Sequence, residues 1–132
     1  MLYTNQIKKA CNILFDAHRD DRDKGGYPYV FHPFYLATQM DDEASICVAL
    51  LHDVIEDHED RYSFESLSAD GFPNEVISAL RLLTHPKCVP YMDYVKEIAK
   101  NPIARKVKIA DLRHNMDSTR TGGVKAPKYV LY

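Results

Sequence analysis

Residues 49–57 read ALLHDVIED. An apolar run, Ile46 to Leu51, leads straight into His52, Asp53, Glu56 and Asp57, with only Val54 and Ile55 between them. The run carries no polar stripe, so a helix built on it is expected at the centre of the molecule. Read as one continuous helix over about 43–58, the segment puts His52 four residues before Glu56, Asp53 four before Asp57 and three before Glu56. All four side chains then share one side. Carboxylates that close repel one another, and partial burial raises the cost. A solvated acidic face would avoid the conflict. A divalent cation would resolve it, because it supplies positive charge and accepts an imidazole nitrogen as a ligand.

Further ligands are found by working outward. His32 precedes Pro33 at the expected start of a helix, where its ring can point off the end. Asp111 lies in VKIADLRHN, again a carboxylate after an apolar stretch. Lys108 and Asn115 stand three before and four after it, on roughly the same helical side. A capping role for His32, and ion pairs from Asp111 to Arg105, Lys108 or Arg113, are the plainer alternatives. A mixed His/Asp set suits manganese, iron or zinc better than calcium.

The rest of the chain reads as helix after helix. Ile7, Ala10, Cys11, Leu14 and Phe15 recur in steps of three and four, which predicts an amphipathic helix over about 4–18. The polar stretch HRDDRDKGGYPY is expected to be a loop, followed by a short helix from His32-Pro33 to about Met40. Asp41 and Asp42 can cap the central helix. Asp70-Gly71 marks a turn, and Phe72-Pro73 opens a helix to about Thr84. Another helix is expected over 91–100, with Tyr91, Tyr94, Val95 and Ile98 on one face. Asn101-Pro102 is a cap followed by a first-turn proline, and that helix should run to about Thr119, ahead of Gly122-Gly123. Ala126-Pro127 begins a last helix that reaches Tyr132, short for a docking helix and therefore suggestive of a truncated chain. No useful period-two run appears, so an all-α helical bundle is predicted, as one domain over 1–132.

Composition bounds the function. The chain has 132 residues, 45% apolar and 27% charged, enough for a core without staples. A net charge of −2 gives no bulk attraction for nucleic acid or a membrane surface. No stretch approaches the ~20 apolar residues of a membrane span, and no signal peptide is evident. Three widely spaced cysteines, Cys11, Cys47 and Cys88, read as buried free thiols in a reducing cytoplasm.

The ordered set YPYVFHP, ALLHDVIED and KIADLRHNM resembles the HD-domain metal-dependent phosphohydrolases. Within them it is most similar to the hydrolase domain of RelA/SpoT-type proteins and to small stand-alone alarmone hydrolases. The resemblance runs in order over about 100 residues, His18 to Met116. It implies that His32, His52, Asp53 and Asp111 hold one metal ion, Mn²⁺ by preference, and that Glu56 and Asp57 orient or deprotonate the attacking water. It implies that Lys24, Tyr29 and Asn115 hold a nucleotide. The implied reaction removes pyrophosphate from the ribose 3′ position of (p)ppGpp, leaving GDP or GTP. Two positions depart from the family pattern. Asp23 stands where an arginine often packs on the guanine base, with Arg22 next to it. The usual Arg-Leu order after the motif aspartate is Leu112-Arg113, which rotates the guanidinium by about 100° on a helix. A phosphatase for another nucleotide, and a non-catalytic nucleotide sensor on the same scaffold, are the alternative readings. His18 is read as structural; His58 and His85 are assigned nothing, and His114 is left between pocket and core.

Overall fold

The computed structural model describes residues 1–117, and eight helices run through them in chain order. They are α1 (Asn5–Ala17), α2 (Phe31–Thr38), α3 (Glu43–Leu51), α4 (Val54–Asp57), α5 (Phe64–Ala69), α6 (Asn74–Leu83), α7 (Tyr91–Ala99) and α8 (Pro102–Met116). Among the described residues there is no sheet; a lone antiparallel bridge joins Arg22 to Pro28. The all-α expectation holds. The last predicted helix, from Ala126-Pro127, and the glycine stop at 122–123 lie outside the described residues.

The apolar run does what its composition demands. Every residue from Ser45 to Leu51 is buried, and α3 packs against α1, α2, α6 and α8. Burying a side chain such as Leu50 contributes about 1.5–3 kcal/mol, so the run fixes α3 as the axis of the bundle. Asp42 starts it: its Oδ1 accepts from the Ser45 amide at 2.8 Å, satisfying one of the open first-turn donors. Asn101 caps α8 in the same way, accepting from the amides of Ile103 and Ala104 at 3.0 Å.

Four expectations need correction. The helix predicted over 43–58 is broken: α3 ends at Leu51, His52 and Asp53 form the junction, and α4 restarts at Val54. Asp53 sits at φ −110°, ψ 0°, outside the helical basin. The four polar residues therefore do not stack on one continuous face. Secondly, α2 opens at Phe31, so Pro33 occupies its first turn but not its first position. Thirdly, α5 was not expected at all; it is six residues long and rests on a reciprocal Ser63–Ser66 capping box. Gly71 follows it at φ +100°, a conformation that favours glycine. Cys11 and Cys47 are buried as expected, but Cys88 is exposed.

Candidate metal centre

The break after Leu51 is what builds the site. It lets the His52 ring turn back so that Nδ1 lies 2.7 Å from the Ala49 carbonyl oxygen. A carbonyl only accepts, so Nδ1 carries the proton and Nε2 of the neutral ring presents a lone pair. Nε2 is buried and makes no hydrogen bond. Asp53 Oδ2 stands 3.2 Å from it and Asp111 Oδ1 3.6 Å. His32 on α2 brings its Nε2 to 2.8 Å from the same Asp111 oxygen. One donor atom each from His32, His52 and Asp111, all buried, falls within 4.8 Å of the others. Two imidazole nitrogens, one of them carrying an orphaned lone pair, and a carboxylate match what a divalent transition metal requires.

The electrostatics carry the same message. Burial opposes a charge on His52, yet the Asp53 and Asp111 carboxylates beside it raise its pKa well above the usual value. Burial likewise opposes charge on Asp111, but the His32 and His52 rings hold it well below the carboxylate range. Without a cation, the cluster keeps a proton to balance its carboxylates. A bound cation would take that place.

Surrounding groups fix these donors. The Tyr29 hydroxyl donates to Asp53 Oδ2. Asn115 Nδ2 donates to Asp111 Oδ1 at 2.9 Å, and Lys108 Nζ reaches its other oxygen at 3.4 Å. His114 stacks on His32 with rings 5.0 Å apart and places Nδ1 2.7 Å from the His32 Nδ1. A lone pair on His32 Nε2 requires Nδ1 to hold the proton and donate it to His114. This settles the position of His114: it supports the cluster from behind.

The donors form the floor of a cleft of about 340 Å³. Of the expected site residues, Tyr29, His32, His52, Asp53, Glu56, Asp57, Asp111 and Asn115 all line it. Lys24 does not; it is exposed on the loop. Glu56 and Asp57 form the outer rim on α4. The Glu56 carboxylate accepts from the His85 amide at 3.0 Å. Asp57 has its pKa raised to about 6, first by burial and then by the charges of Asp53 and Glu56. Sequence reasoning missed the facing wall. His85 stacks on Tyr94 at 4.4 Å, Tyr91 lies alongside, and Lys108 Nζ sits 5.5 Å over the Tyr94 ring. The tyrosines were legible only as a helix face, and nothing in the sequence turns that face towards Asp111.

An all-helical bundle that buries two histidines and an aspartate beneath an acidic cleft has the architecture of an HD domain. No family model matches the chain. Individual relatives do. It is 31% identical over 128 residues to the GTP pyrophosphokinase of Streptomyces coelicolor, covering 87% of this chain and 15% of that protein. It is 31% identical over 125 residues to the probable guanosine-3′,5′-bis(diphosphate) 3′-pyrophosphohydrolase of a Synechocystis species, covering 83% and 16%. It is 28% identical over 124 residues to the mouse guanosine-3′,5′-bis(diphosphate) 3′-pyrophosphohydrolase, covering 84% and 68%. The chain thus spans 15–16% of the length of these bacterial relatives. A solved metazoan ortholog of SpoT, which hydrolyses ppGpp, superposes with a TM-score of 0.75 at 24% identity, over 100% of this chain and 82% of that one. The fold is the HD-domain-like fold of the RelA/SpoT-type (p)ppGpp hydrolases. Among the described residues no helix is long and apolar enough to cross a membrane.

Proposed function

We propose that this chain is one HD-type phosphohydrolase domain that removes the 3′-pyrophosphate of (p)ppGpp, yielding GDP or GTP and pyrophosphate. The observation that carries the reading is the buried His32/His52/Asp111 cluster, open to a cleft that holds four carboxylates and a single lysine. Such a cleft repels a polyphosphate unless a cation is bound in it. The relatives whose names specify (p)ppGpp chemistry point to the substrate.

His32, His52, Asp53 and Asp111 would hold one divalent transition metal, with Mn²⁺ preferred. The metal would lower the pKa of a bound water and neutralise phosphoryl charge. Glu56 and Asp57 orient the attacking water and take its proton; a carboxylate poised near 6 suits a base working close to neutral pH. Lys108 would face the pyrophosphate from the opposite wall with Asn115 and Tyr29 flanking it, while Lys24, outside the cleft, would meet only a part of the nucleotide that projects past its rim. Three free thiols agree with a reducing cytoplasm.

One observation favours a second reading of the base. Asp23 Oδ1 accepts from the amides of Gly25 and Tyr27, and Arg22 donates to the Gly26 carbonyl oxygen at 3.0 Å. Both side chains are engaged in shaping their own loop. Stacking of an arginine on guanine is not prepared there, which keeps open a phosphatase for another nucleotide. A nucleotide panel assayed with Mn²⁺ separates the readings. Pyrophosphate released from ppGpp supports the first, and orthophosphate from other nucleotides the second. Tight nucleotide binding with no turnover of any substrate would make the protein a sensor.

A further inference from the structure

Outside the cleft a second His/Asp group converges. His18 follows α1, Asp21 lies three residues on, and His58 leaves α4 from the far side of the sequence. Asp21 Oδ2 stands 2.7 Å from His18 Nδ1 and 2.6 Å from His58 Nε2. One carboxylate oxygen thus faces two imidazole nitrogens, and the donor atoms all fall within 4.8 Å of one another. Among the described residues no lysine or arginine forms an ion pair with Asp21. His18 is 1% exposed, and its other nitrogen, Nε2, is buried without a hydrogen bond. The nitrogen that faces Asp21 is Nδ1; a coordinate bond there would hold the buried ring more firmly than a hydrogen bond to a partly solvated carboxylate, with Nε2 left as the proton-bearing nitrogen.

We propose that His18, Asp21 and His58 form a second divalent-cation site, separate from the cluster under the cleft. Two imidazoles and one carboxylate select a borderline cation of the zinc or cobalt kind over calcium or magnesium. A tetrahedral ion with bonds of about 2.0–2.1 Å needs its donors roughly 3.3 Å apart, so Asp21 must retreat from the two rings by about half an ångström. Asp21 and His58 lie beyond helix ends and keep 33% and 19% side-chain exposure, which leaves a way in for the ion and a position for water. The site has a mechanical role. The Asp21 carbonyl accepts from the Tyr29 amide at 2.9 Å, and the Tyr29 hydroxyl holds Asp53. An ion at Asp21 therefore pins the loop that carries Lys24 and Tyr29 against the inner donors. Its existence does not depend on which nucleotide the cleft accepts.

Chelator-stripped protein titrated with cobalt(II) tests this. The wild type should take up about two equivalents, and both Asp21→Asn/His58→Ala and Asp111→Asn about one each. Coordinated imidazoles give strongly shifted ring N–H resonances with cobalt(II); the fully loaded wild type should show them from four histidines. This second readout needs no variant, so a misfolded mutant does not obscure the result. The proposal is overturned by a wild type that stops at one equivalent lost in Asp111→Asn, by uptake unchanged in Asp21→Asn/His58→Ala, or by shifted signals from only two rings.

Discussion

Two clusters in this molecule use the same side chains and behave in opposite ways. In the inner one, His52 lies between Asp53 and Asp111, and their charges overcome burial to raise its pKa. In the outer one, burial is the larger influence on His18 and lowers its pKa, although the Asp21 carboxylate beside it and the charge of Asp53 push the other way. The difference is the number of carboxylates per buried ring and how well each is shielded from water. Asp111 is almost fully buried, whereas Asp21 is a third exposed, so its field is screened. A histidine and an aspartate in contact therefore define no fixed electrostatic state. Tyr29 connects the two clusters: its ring lies 4.8 Å from His18 and its hydroxyl bonds Asp53.

The largest effect should come from breaking the inner cluster. Asp111→Asn removes the carboxylate that both His32 and His52 approach. Turnover should fall roughly a thousandfold or more, the loss expected when several kcal/mol of metal-derived stabilisation disappear. Steady-state kinetics and metal analysis of the same preparation check this together. Near-wild-type turnover would mean that the cluster is not the reaction centre.

Next is the residue on the border. Asp57 is raised to about 6 by burial and by Asp53 and Glu56, with Asp21 of the outer cluster adding to the push. As a base it must be ionised, so kcat/KM should decline as the pH drops through about 6. A cation nearby favours the ionised form, so more metal should move that limb to lower pH. Asp57→Asn should lose roughly a hundredfold or more and flatten the limb. A limb that survives in this variant belongs to another group.

These contrasts also show what the sequence could convey. Steps of three and four marked α1 and α7 because burial on one helical stripe leaves a local record, whereas α3 was marked by its unbroken apolar run and α6 by Phe72-Pro73 at its start. The same spacing brought out His52, Asp53, Glu56 and Asp57, and motif order brought out His32 and Asp111. The break at His52–Asp53 was illegible because no glycine or proline marks it; what marks it is the Ala49 carbonyl, bound by a side chain. Helix α5 was missed because six residues are too few to display a period. His58 and Asp21 meet across 37 positions, and His85 reaches Glu56 across 29. Such meetings are made by the packing of the bundle, and neither segment alone encodes them.

Tyr29→Phe probes the connection at smaller cost. It removes one hydroxyl from Asp53 and keeps the ring against His18. Loss of such a supporting hydrogen bond typically lowers metal affinity about tenfold. Competition with a chromophoric chelator would measure it. No change in affinity would show that Asp53 is held without Tyr29.

The smallest effect sharpens the comparison most, because only its sign matters. Consider the metal-free protein in chelator, where the unfolded histidines titrate near 6.5. His52 is raised in the folded state, so its contribution to stability is complete below 6.5 and is lost as the pH rises through the folded value. His18 is lowered, so the unfolded chain takes up a proton that the folded chain refuses. Stability then falls as the pH drops from 6.5 through the folded value of His18. The two limbs oppose each other in sign. Melting temperatures between about pH 5 and pH 8 should show His52→Gln flattening the alkaline limb and His18→Gln the acid one. If both variants flatten the same limb, the two clusters share one electrostatic character and the contrast between them is wrong.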